Sequence, residues 1–452
     1  LGSDPFGKTA TITYTLPEDH KYKTKTLTLT IIVPKEAEIS SQDDWKKFCA
    51  AVNSGWNNAD AKLMKDVDLG TEITMLGSNK SYSGTFDGQN YTLTLGWDGG
   101  DGWMAPFHTM NGATIKNLRV NGYIKSKGKG LSGLILNVYG NTPVSGCTSE
   151  VDITSGSSDG GCASAGLIQY ISSDAHVSIN DCLVKGTLKA TTEIGTKGMA
   201  GFVYDQRGNC TLTNCLYTGT NNAAGGYTFA SKSTIKNCYY LNACAATYGE
   251  KVTIDQLKSG EVAYKLQAGR DTQMWGQTLG TNNEPLLTAD GAKRVRKVEF
   301  SYNNDVKATR YATHDKGIFG GLPTVQEILG TGYNPQHYYS GLTFADNFSG
   351  STSVTADKQV AVSFTHKVVC EIASKADWKE FRDLVNGGQT KLNAKMTADV
   401  DLGSDIWQVG NHYAGTFDGQ GHTLKINWNN TSGWLAPFYT VDGATIKNLR
   451  TE

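Results

Sequence analysis

Two trios of aspartates are the residues best placed to do chemistry: Asp66, Asp68 and Asp87, and, in a matching stretch far downstream, Asp399, Asp401 and Asp418. Alternate residues of a strand share a face, so Asp66 and Asp68 of DVD would point together. With Asp87 they could hold a metal ion or supply an acid and a base. The structural reading of the same residues is stronger, because FDGQ (86–89) carries an Asp-Gly turn signature and DVDLG sets Val67 between two solvent-facing acids. Trp97 and Trp428 are the candidate binding residues. Each follows an alternating strand, YTLTLGW or HTLKINW, and sits beside Gly, Asp or Asn, where a flat ring can stack on a sugar. The competing reading has these rings pack over strand edges. Trp103 and Trp434, in GWMAPF and GWLAPF, read as core. The eight His form no H-E-x-x-H, and neither a Cys-x-x-Cys, a G-x-S-x-G, a phosphate loop nor a dinucleotide fingerprint occurs. No catalytic residue, metal or cofactor is therefore expected.

The elements that must position these residues are themselves duplicated. DDWKKFCAAVNSG (43–55) returns as ADWKEFRDLVNGG (376–388), KDVDLG (65–70) as ADVDLG (398–403), and residues 84–120 as 415–450. Ser41 with Asp44 opens a helix whose Trp45, Phe48, Cys49 and Val52 share one face, and Ser374, Asp377, Trp378, Phe381 and Val385 repeat it. Such a helix suits the plugging of an apolar end. Residues 8–33 alternate Thr with apolar residues around a PED turn, which predicts a hairpin. Thr253 with Gln256 opens a further helix through TIDQLKSGEVAYKLQ.

From about 60 to 247, short strands alternate with Gly, Asn, Asp and Ser turns. One phrase recurs as TIKNLRVNG, VSGCTSEVDI, SINDCLVKGTL, TLTNCLYTGT and TIKNCYYLN, with Leu118, Cys147, Cys182, Cys215 and Cys238 at one equivalent place. A place filled by Leu or Cys reads as a small buried hydrophobe, and hence as a ladder of stacked free thiols. Disulfides are the rival reading, with Cys210 and Cys215 the nearest pair. The period is too short and uneven for propeller blades of about 40–45 residues. It suits the coils of a parallel β-helix, whose loops vary freely.

Composition narrows the class further. Hydrophobic residues make up 38% and Gly contributes 52 residues, an ordinary globular balance. Lys+Arg 42 against Asp+Glu 43 leaves a net charge of −1, so no footprint for nucleic acid is expected. No apolar run is long enough to span a bilayer. The second copy stops just after its TIKNLR strand, which marks the chain as an expected piece of a longer tandem array.

The ladder phrases, together with SGLILNV, SAGLIQYI and MAGFVYD, resemble the GLUG-type repeats of bacterial surface proteins, in which a Gly-hydrophobe strand precedes "I-x-N-C-x-x-x-G". GTFDGQGHTL followed by GATIKNL is similar to the first coil of such modules. The eponymous GLxG survives only as GLSG (130–133) and Gly166-Leu167. KVEFSY, Gly332-Tyr333 and Val354-Thr355 with Asp357 resemble an internalin-type B-repeat, although YYSGLTF replaces that family's Gly-Trp-Tyr centre. These resemblances imply an all-β chain: a right-handed parallel β-helix with short helical caps, plus a small β-grasp-like spacer domain. The expected organisation is 1–35 (strands of an upstream β-domain), 36–295 (β-helix), 296–369 (spacer) and 370–452 (start of a second β-helix). Related repeats accompany immunoglobulin-A metallopeptidase domains and occur in adhesins. The implied function is a non-catalytic, secreted or surface-exposed bacterial protein binding host or dietary glycans or matrix proteins. A polysaccharide-degrading β-helix and an accessory stalk of a large surface peptidase are the alternatives.

Overall fold

The computed structural model describes residues 9–15, 26–32, 36–100, 102–127, 130–156, 163–191, 198–222, 226–231, 233–244, 248–429 and 433–452. The chain is mostly β and divides into two compact units, Leu1–Arg296 and Lys297–Glu452.

In the first unit, three parallel sheets are visited in a fixed cyclic order. The first holds Thr114–Lys116, Asn141–Ser145, His176–Asn180, Asn209–Thr213 and Thr234–Lys236, and three earlier strands from Glu36–Ile39 onward. The second holds Thr92–Asp98, Arg119–Ser126, Thr148–Ser155, Leu183–Val184, Leu216–Tyr217 and Tyr239–Tyr240 among its members. The third holds Phe107–Asn111, Ile135–Tyr139, Ile168–Ile171 and Val203–Gln206. Each strand pairs in parallel with its counterpart one circuit later.

The sequence phrase explains the corner between the first and second sheets. Asn117, Asp181, Asn214 and Asn237 all sit at φ between 51° and 54°, and Gly146 at 62°. Asn, Asp and Gly are the residues that enter this left-handed region most readily. Asn448 repeats the turn in the second unit at φ 50°. The residues just after these turns, Leu118, Cys147, Cys182, Cys215 and Cys238, fall on consecutive rungs and are all buried in one core cluster. The described cysteines, including these four, are free thiols; Cys162 lies outside the described residues. Burial pushes the thiols of Cys182 and Cys215 well above their usual range.

The third sheet explains the Gly-hydrophobe phrases. A Cβ on Gly133 would come 2.3 Å from the carbonyl oxygen of Gly166, one on Gly166 would come 2.4 Å from that of Gly201, and one on Gly201 2.4 Å from that of Thr228. Only hydrogen fits. On the first sheet, cross-rung ion pairs fix the register: Lys62 with Glu36 and Glu38 at 3.1 and 3.2 Å, and Lys116 with Asp87 at 3.1 Å.

The helix Gln42–Asn53 starts at Ser41, whose hydroxyl accepts the Asp44 N–H, and it buries Trp45, Phe48, Cys49 and Val52 against the first rungs. The Trp45 ring meets Phe86 and Phe107 edge-on at 5.9 Å and donates its N–H to the Thr74 carbonyl. The later helix expected as one piece breaks at Gly260 (φ 90°) into Ile254–Ser259 and Glu261–Gln267, with the Thr253–Gln256 capping box present. This segment lies on the outer face of the second sheet: Leu183, Leu216 and Tyr239 form a second core with Leu257, Val262, Leu266, Trp275 and Leu287. It is clamped by Asp181, whose Oδ1 accepts from Arg270 at 2.6 Å and from the Trp275 indole at 2.9 Å. The expected hairpin is present as Thr9–Thr15 paired antiparallel with Thr26–Ile32.

In the second unit, residues Val298–Ser301 of the strand Val295–Tyr302 pair in parallel with Lys358–Ser363, which pairs antiparallel with Thr343–Phe344. The helix Val325–Leu329 buries Ile328 against this sheet. Parallel strands Cys370–Ile372, Ala394–Met396, Thr416–Asp418 and Thr445–Lys447 then repeat the opening of the first unit. So do helix Lys375–Asn386, with Trp378 over Phe417 at 5.7 Å, and the ion pairs Lys395–Glu371 and Lys447–Asp418.

Candidate functional site

The aspartate trios brace turns. Asp66 accepts the Thr92 N–H and Asp68 the Gly70 N–H, both at 2.8 Å. Asp87 accepts from the Gln89 N–H and the Asn117 amide and pairs with Lys116. Burial acts to raise its pKa, but those three donors outweigh burial and hold the carboxyl below the usual range. The second copy repeats the pattern: Asp399 accepts the Thr423 N–H, Asp401 the Gly403 N–H, and Asp418 the Gln420 N–H and the Asn448 amide. The Gln420 and Asn448 donors hold Asp418 down at about 2. A general acid needs the opposite shift, toward neutrality. Among the described residues no group of three or more His, Cys, Asp or Glu side chains could hold a metal ion.

The tryptophans require corrections. Trp97 is 0% exposed, inside the core at the end of Thr92–Asp98, and its indole N–H has no partner. Alternation along that strand places Leu93, Leu95 and Trp97 inward together, so this ring has no face for a ligand. Trp428 is half-buried against the second unit's core, also with an unpartnered N–H. Trp103, read as core, is 45% exposed: its ring lies over Gly130, where a Cβ would come within 2.2 Å of it. Trp434 is 85% exposed. Tyr338 donates to Glu380 at 2.7 Å, and Tyr339 is buried, stacked on His366 at 4.8 Å.

The surface with most binding chemistry was missed. On the outer face of the third sheet, Thr109, Asn137, Tyr170 and Asp205 occupy one column, rung above rung. Two residues along lie Tyr139 and, two rungs on, Arg207. The Tyr139 and Tyr170 rings are 6.3 Å apart, the Arg207 guanidinium lies 5.2 Å from the Tyr170 ring centre, and Arg207 pairs with Asp205 at 3.2 Å. A sequence signal existed. Aligned on Gly133, Gly166 and Gly201, the phrases GLILNVY, GLIQYIS and GFVYDQR carry Asn137, Tyr170 and Asp205 at the same offset, and Tyr139 and Arg207 two further on.

A concavity of about 510 Å³ lies between the second sheet and the Thr281–Thr288 segment. Its charges are already engaged: Lys185 bridges Glu150 and Glu284 at 3.2 and 3.3 Å, and Arg119 donates to the Leu287 carbonyl. No described helix is long and apolar enough to cross a membrane.

No family model and no curated protein match this chain. Among solved structures, a chain described as "a putative immunoglobulin A1 protease from Bacteroides ovatus" is similar at 15% identity, with 56% of this chain and 92% of that chain covered and a TM-score of 0.37. A likeness at that level carries no argument about fold or activity.

Proposed function

We propose that residues 36–295 form a right-handed parallel β-helix with helical caps, that 296–369 is a small β-grasp-like spacer joining it to a second helix begun at 370–452, and that 1–35 belongs to a preceding β-domain. The cyclic visiting of three parallel sheets supports the coil, and parallel crossovers are overwhelmingly right-handed. We take the protein to be a non-catalytic, secreted or surface-exposed bacterial binding protein, its partners host or dietary glycans or matrix proteins. The observation that carries this reading is the contrast between two sets of residues. Each acid of the trios is consumed in bracing a turn, whereas the third sheet turns a row of aromatic and hydrogen-bonding side chains outward.

The test is an array of glycans and matrix proteins probed with the whole 452-residue chain, together with an assay for polysaccharide cleavage. Saturable binding without turnover is expected. No binding on the array, or cleavage that disappears in Asp68→Ala, would reject the reading.

A further inference from the structure

We infer that the third-sheet face around Tyr139, Tyr170, Asp205 and Arg207 is a binding site for a short stretch of neutral, pyranose-based glycan; the inference rests on the non-catalytic binding role proposed above. Tyr139 is 37% exposed, and it flanks Tyr170 on one side while the Arg207 guanidinium flanks it on the other. The two phenol rings are thereby held upright on a rigid sheet without costing a ligand the entropy of ordering them. Among the described residues no hydrogen-bond partner engages either phenol hydroxyl. Asn137 uses its amide N–H on the His108 carbonyl, and Asp205 offers acceptor capacity beyond its contact with Arg207. Sugar C–H groups can pack along the outward edges of such paired rings, while sugar hydroxyls meet amide, carboxylate and guanidinium groups.

Charge and size select this occupant over others. Asp205 is the only Asp, Glu, Lys or Arg within the four strands of this sheet, and Arg207 just beyond neutralises it. No surplus cation awaits a polyanionic glycan or a phosphate. Four strands of four or five residues, at about 4.8 Å between rungs and about 3.3 Å per residue, make a face of about 300 Å². That is well under the about 800 Å² per partner of a stable protein interface. It matches a few sugar rings, each about as long as one rung is tall.

The experiment is calorimetric titration of the whole chain with neutral tetrasaccharides of β-1,4-glucan, β-1,4-mannan, β-1,4-xylan and β-1,3-glucan, with tetragalacturonate as the anionic probe. At least one neutral probe is expected to bind in preference to the anionic one, and Tyr139→Ala and Tyr170→Ala each to weaken it at least tenfold. Tyr139→Phe keeps the ring and should stay within about threefold. Both tyrosines are at the surface, so unchanged melting curves show that the loss is local. Binding that survives both alanine variants, or that favours the anionic probe, overturns this site while leaving the wider binding role intact. A chain that binds matrix proteins but no neutral glycan does the same, and a chain that binds nothing overturns both.

Discussion

Replacing Gly166 by alanine would put a methyl group where the third sheet leaves no room. The new Cβ would lie 2.4 Å from the Gly201 carbonyl oxygen and 2.5 Å from a Val184 methyl. An ordinary contact needs about 1 Å more separation between rungs, because non-bonded carbon contacts settle at about 3.5 Å or beyond. The rungs are tied there by Gly166 N–H to the Ala200 carbonyl at 3.0 Å and Ile168 N–H to the Phe202 carbonyl at 2.8 Å. Stretching both forfeits roughly 1 kcal/mol each, and overpacking in a well-filled interior itself costs about 1–3 kcal/mol. A loss of at least about 3 kcal/mol is therefore expected, a downward shift of about 5 °C in the transition of a unit this size. Gly291, whose Cβ would meet nothing within 4 Å, is the control; its alanine variant should stay within about 0.5 kcal/mol. Scanning calorimetry of the whole chain reads both. If Gly166→Ala melts like Gly291→Ala, the glycines do not stack and the account of the third sheet is wrong.

Asp181→Gly keeps a residue that tolerates the left-handed φ of 51° while removing the single oxygen that receives both Arg270 and Trp275, and should cost about 3 kcal/mol, the range for stripping one partner from a largely buried pair. Limited proteolysis between 268 and 293 should accelerate in step, and unchanged cleavage would refute the clamp. In acid, the depressed carboxyls of Asp87, Asp399 and Asp418 contribute stability that is complete above the usual aspartate pKa of 3.8 and is lost as pH falls through their lowered values, which for Asp418 is about 2. Stability measured by urea denaturation should thus fall below pH 4, and Asp418→Asn should flatten that fall. Without reductant, iodoacetamide should leave Cys147, Cys182, Cys215 and Cys238 unmodified in the native chain and label all four in guanidinium; blocked thiols in denaturant would reveal disulfides instead.

The left-handed turns, the two amphipathic helices and the duplication were legible because each rests on a local rule. Left-handed turns demand Asn, Asp or Gly at 117, 146, 181, 214 and 237, helix starts demand Ser41 and Ser374, and burial demands Leu or Cys at the next position. The candidate site was legible only in part. Trp97 and Trp428 share a sequence context, yet alternation with Leu93 and Leu95 turns Trp97 inward, while Trp428 packs on a different core. Trp103 sits in an apolar string but covers a glycine from outside.

By itself, the sequence determined which residues turn, which stack and where a circuit repeats, since these follow from backbone sterics and from period-two burial within a few residues. Only the tertiary structure decided which side chains from different circuits become neighbours. Tyr139, Tyr170 and Arg207 are far apart in the chain and meet because rungs about 4.8 Å apart are held in one register; the 94-residue reach from Asp181 to Trp275 likewise depends on the helical segment folding back over the second sheet. Loop lengths between circuits vary freely, so the shared offset of these residues from Gly133, Gly166 and Gly201 becomes a meeting only once the rungs are stacked.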